Sequence, residues 1–100
     1  MSTRLSLRAP ATYSAGDAWP HGAVSGPRVV LYAQAFAKAV SVAIGDRTVR
    51  DVARQAEISH TTLLAVLHGE RWPDMVTIAK LEESLQADLW PGPRLRASAD

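Results

Sequence analysis

Between residues 48 and 69 the apolar positions fall into two short stripes. Val52, Ala53 and Ala56 share one, and Leu63, Val66 and Leu67 share the other, each at the spacing of a single α-helical face. Thr48 and Ser59 stand just ahead of the two stripes, where a side-chain oxygen can cap free backbone amides. Asp51 occupies the capping-box position after Thr48, although Glu or Gln is preferred there. Ala53 is small enough for a close helix crossing, and Ile58 between the stripes can turn inward to fill the corner. Gly69 follows the second stripe, where a residue of positive φ commonly ends a helix. The pattern predicts helices over 49–56 and 60–68 joined by a tight turn.

The same reading extends in both directions. Val29, Ala33, Phe36, Val40 and Ala43 mark a helical stripe in an alanine-rich run, so a helix is expected to begin near Pro27 and stop at Gly45. Asp74 can cap a fourth helix that runs to about Gln86, with Ile78, Leu81 and Leu85 inward. Leu89 and Trp90 are expected to fold back on the core, and Trp72 to lie as a lid over the third and fourth helices. Residues 1–26 are interrupted at Gly16, Pro20, Gly22 and Gly26 and show little periodicity, which predicts an irregular arm or plain disorder, with Arg4 and Arg8 as basic residues that could reach a neighbouring groove. A short extended piece is expected over 4–7, and Trp19 is a ring that gains from docking on the domain. Pro91, Gly92 and Pro93 read as the end of the domain, leaving 92–100 as a flexible tail. Trp-Pro pairs recur at 19, 72 and 90 without a fixed period, so they are not a repeat unit.

The segment TVRDVARQAEISHTTLLAVLHG (48–69) resembles the DNA-binding domains of the phage repressor/Cro, or Xre-like, family. Their pattern is Thr-Gln-x-x-Leu-Ala-x-x-Ala-Gly-Val-Ser-x-x-Thr-Ile-x-x-Ile-x-x-Gly. Thr48, Val52, Ala53, Ala56, Ile58, Ser59, Thr62, Leu63, Val66 and Gly69 match it by identity or apolar equivalence. ERWPDMVTIAKLEESLQADLW (70–90) looks like the loop, fourth helix and closing apolar pair of such domains. The resemblance implies an all-α fold: a compact four-helix domain of the lambda-repressor-like type over 27–91, containing a helix-turn-helix. It also implies a sequence-specific transcriptional regulator that places the third helix in the major groove. Two positions depart from the pattern. Glu57 replaces the usual turn glycine, at a cost of about 1–2 kcal/mol if that position is left-handed. Val49 replaces a glutamine that often touches phosphate, so one backbone anchor is missing or supplied elsewhere.

By the same resemblance the base-reading residues are His60, Thr61, Leu64 and Ala65. Helical geometry independently sets 60, 61, 64, 65 and 68 opposite the 63, 66 and 67 face. His60 can bond a guanine edge or a phosphate, and Thr61 a base or a thymine methyl. Leu64 and Ala65 can make only apolar contacts. No Arg, Asn or Gln stands on this face for a bidentate base contact, so direct readout is sparse and DNA shape must help. Phosphate contacts are expected from Thr48 with the free amides of the second helix, and from Arg50, Thr62, His68 and Arg71. Arg47 is a further candidate. Each of these polar residues can equally be a solvated surface group.

Charge changes this picture. The chain is +1 overall: residues 1–47 carry +3, 48–73 are neutral and 74–100 carry −2. Phosphate attraction supplies most non-specific affinity, so a neutral reading motif predicts modest affinity per subunit, or a homodimer that doubles the contacts. The homodimer rests on family analogy, because no heptad is visible. There are no cysteines, which removes a disulfide framework and a thiolate metal site. No apolar run approaches the roughly 18–20 residues of a membrane span. The start, MSTRLSLRAPATYS, lacks the apolar core of a secretory signal. A cytoplasmic protein with no membrane partner and no cofactor is expected.

Two other classes compete. An enzyme is not expected: His60 and His68 lie eight residues apart, roughly 12 Å along one helix, too far to share a metal. No nucleophile elbow, phosphate loop or paired-carboxylate spacing occurs. A protein partner is the stronger alternative, as in a helix-turn-helix interaction module or the antitoxin of a toxin–antitoxin pair. The uncharged third helix with Leu64 and Ala65, together with the apolar Val49, would suit such a surface.

Overall fold

A computed structural model describes residues 7–98. Arg4 and most of the piece expected to be extended lie outside them. Among the described residues there is no strand, only a bridge between Ser14 and Val24. In chain order come a 3-10 turn, Pro10–Tyr13, and five α-helices: α1 (Val29–Ile44), α2 (Val49–Ala56), α3 (His60–Leu67), α4 (Met75–Leu85) and α5 (Gly92–Ala97). No single helix among them is long and apolar enough to cross a membrane.

Phe36, Val40 and Ile44 of α1 meet Val52, Ala53 and Ala56 of α2, Leu63 and Val66 of α3, and Leu81, Leu85 and Leu89 in one buried cluster. The central helix α1 packs on α3, α4 and the 3-10 turn, and α2 packs on both α3 and α4. The axes of α1 and α2 differ by 100°. Because α1 touches elements on several sides, its buried arc is broad: Val30, Ala33, Gln34, Phe36, Ala37, Val40 and Ile44. The expected stripe was therefore too narrow. Val29 is 39% exposed and Val30 takes the inward place.

Three helices end in the same way. Glu57 after α2, Gly69 after α3 and Gln86 after α4 all have left-handed backbone, with φ of 60°, 72° and 53°. After α2 and α3 the closing bonds form a Schellman pair: Ile58 N–H donates to Ala53 and Glu57 N–H to Arg54, while Glu70 N–H donates to Ala65 and Gly69 N–H to Val66. Lys80 closes the first of these corners by donating to the Glu57 carbonyl at 3.0 Å. Gly45, with φ 60°, ends α1, and the Arg47 guanidinium donates to the Ala43 and Ile44 carbonyls there.

The C-terminal end departs from expectation, whereas the arm over 8–26 is irregular apart from the 3-10 turn, as expected, and is docked on the helices. Tyr13 and Pro10 are buried, the buried Gln34 amide donates to the Gly22 carbonyl at 2.8 Å, and Trp19 docks beside the end of α3. Gly92–Ala97 is a helix where a tail was expected. A proline in the first helical turn gives up an amide that has no intrahelical partner anyway, so Pro93 starts a helix as readily as it ends a domain. Leu89 enters the core, but Trp90 stays 43% exposed and its ring lies 5.5 Å from that of Tyr32. The amides of Leu89 and Trp90 both donate to the Glu82 carboxylate. Trp72 is not a lid over α3 and α4: its indole donates to the Arg8 carbonyl, and it lines a small cleft with Val29, Tyr32 and Ala33 of α1.

Candidate nucleic-acid interface

Two caps set the direction of the helices that carry the candidate residues. The Thr48 hydroxyl accepts from the Asp51 amide at 3.0 Å, and the Ser59 hydroxyl accepts from the Thr62 amide at 2.9 Å. Asp51 does not complete a capping box. It pairs instead with Arg54 at 2.9 Å, which takes Arg54 out of consideration as a free cation. Val49 and Ile58 pack against the core from its margin, so the apolar side chain at 49 helps hold α2 and offers less to an outside partner than its position suggested.

On α3, Leu63 and Val66 are buried, which turns the opposite side outward. Thr61 and His68 are exposed, and His60, Leu64 and Ala65 are half-buried. Leu64 is not one of the residues packed against the core cluster. The four residues expected to read bases thus share one open side, and none is interred. Thr62 is half-buried, and its hydroxyl accepts from Ser59 at 2.8 Å. Its hydroxyl thus serves the cap first, which leaves only its one remaining proton for the expected phosphate contact.

The candidate phosphate contacts lie at the start of α2 and just beyond α3. Thr48 and Arg50 are exposed at the start of α2, and Arg50 makes no hydrogen bond or ion pair with the described residues. His68 and Arg71 are exposed at the end of α3 and in the loop after it. Arg71 also acts within the protein. The carboxyl of Asp74 is held below its ordinary range by the Thr77 amide, which donates to it at 2.8 Å, by the Thr77 hydroxyl, and by the charge of Arg71. Arg47 is spent on the carbonyls that end α1.

Sequence periodicity did not point to the contacts that hold the loop from Leu67 to Trp72. Trp19 Nε1 donates to the Leu67 carbonyl at 3.2 Å, the Ala11 amide donates to the Gly69 carbonyl at 2.8 Å, and Trp72 Nε1 donates to the Arg8 carbonyl at 3.0 Å. Arg8 is itself fixed, with its guanidinium 4.5 Å from the centre of the Tyr13 ring. The only advance signal was a large apolar ring at 19 and another at 72. No three His, Asp or Glu side chains among the described residues are grouped to hold a metal ion.

The chain matches no protein-family model, no curated protein and no solved structure.

Proposed function

We propose that this chain is a sequence-specific, double-stranded-DNA-binding transcriptional regulator of the phage repressor/Cro, lambda-repressor-like type, acting in the cytoplasm as a homodimer. In this reading α2 and α3 are the helix-turn-helix and α3 enters the major groove. The observation that carries it is the pairing of α2 and α3 across a capped, left-handed corner, with the side bearing residues 60, 61, 64 and 65 turned away from the core. In this reading Thr48 and Arg50 at the start of α2, and His68 and Arg71 after α3, contact phosphates on either side of that row.

The test is titration with mixed and selected duplexes at two salt concentrations. A DNA binder weakens steeply as salt rises. Changing His60, Thr61 or Leu64 to Ala should compress the ratio between preferred and non-preferred sites. Arg71→Ala should weaken all sites alike and lower the salt slope by about 1. An unchanged slope in Arg71→Ala would remove its phosphate role. The uncharged surface of Leu64 and Ala65 favours one other reading, a protein-binding module or antitoxin. That reading predicts little duplex affinity at either salt.

A further inference from the structure

We infer that the segment 8–19 is a positioning element for the phosphate-facing loop, acting through Trp72, Ala11 and Trp19 on Arg71 and His68. The inference rests on the DNA-binding reading above and adds a role that the reading motif does not contain.

The observation that carries it is the identity of residue 69. Left-handed backbone does not by itself demand glycine in this fold, since Glu57 and Gln86 adopt it with full side chains. Position 69 differs because there is no room. A Cβ on Gly69 would stand 2.7 Å from the Ala11 Cβ and 2.7 Å from Trp19 Cε2. The end of α3 is therefore shaped to receive the arm.

Three hydrogen bonds then bracket the loop. Trp19 caps the Leu67 carbonyl, which α3 itself cannot satisfy. Ala11 caps the Gly69 carbonyl, and the Trp72 indole returns a bond to Arg8. His68 and Arg71 lie inside this bracket, at residues whose neighbours on both sides are tied down. The long arginine side chain gains most from such support, because a fixed backbone removes part of the ordering cost of gripping a phosphate. Thr48 and Arg50 lie outside the bracket, so the arm acts on one end of the interface only.

The experiment is a double-mutant cycle on binding to a mixed-sequence 20-base-pair duplex at low salt. Trp72→Phe keeps the ring and removes the donor to Arg8. It should weaken duplex binding about two- to tenfold, the range of one lost hydrogen bond. In an Arg71→Ala background the same change should have almost no further effect. Trp19→Phe, which removes the bond to Leu67, is the second variant and should behave alike. Circular dichroism spectra at the assay temperature verify that each variant is folded. Equal weakening in both backgrounds would show a general loss of structure and overturn the inference. So would wild-type binding that neither variant disturbs. Failure of the wild-type protein to bind the duplex at all would instead sink the DNA reading, and this role with it.

Discussion

Glu57 and Gln86 hold left-handed backbone without being glycine, and each therefore stores strain. For a residue with a Cβ that conformation costs about 1–2 kcal/mol, against which a glycine loses more freedom on folding. Both side chains are exposed, but Gln86 Nε2 donates to the Glu83 carbonyl at 2.7 Å, so only at Glu57 does removal of the side chain cost no such contact. The Lys80 bond at the first corner goes to a backbone carbonyl and survives the change. Glu57→Gly should raise the stability by about 0.5–1 kcal/mol, read as a higher urea midpoint at unchanged m. Gly69 is the opposite case. Replacing it adds both strain and a collision with Ala11 and Trp19.

At the scale of the elements, α4 depends on a charged cap. The Asp74 carboxylate accepts from the Thr77 amide and lies in the field of Arg71, so its folded pKa is below the ordinary aspartate value of 3.8. A depressed carboxyl stabilises the fold above that ordinary value and loses its contribution as pH falls through the lowered folded value. Asp74→Asn keeps a good cap without the charge. It should therefore melt close to wild type at neutral pH and lose less stability than wild type on acidification below 3.8, as followed by urea denaturation across the acid range. A parallel acid decline in both proteins would remove Asp74 from the account. Caps of this kind explain why much of the fold was legible in the sequence. Thr48, Ser59 and Asp74 each precede a stripe of regular period, and α2 begins and ends where that pattern put it. The open side of α3 followed from the same period. The docking of the arm did not, because its hydrogen bonds join backbone and indole groups 48 and 64 residues apart, and distant backbone pairing leaves no periodic trace. α5 was hidden by prolines that begin helices as well as end domains.

For the molecule as a whole, the consequence is that the folded unit is larger than the four helices α1–α4. Residues 8–26 bury Pro10 and Tyr13 against the globule, satisfy the Gln34 amide, and cap two carbonyls at the end of α3. Removing everything before Pro27 would leave a buried glutamine without its partner and the end of α3 open to water, and unpaired buried polar groups are costly. Such a truncation should lower the melting midpoint by at least about 10 °C, a large shift for a chain of this size. Its m-value should also fall, because less surface is exposed on unfolding. A loosely tethered arm predicts no change in either quantity. The two outcomes are far enough apart for one denaturation series to decide between them. A loss of stability without loss of the α1–α4 helical signal would show that the four helices form the frame and that the arm locks the end of α3 to it.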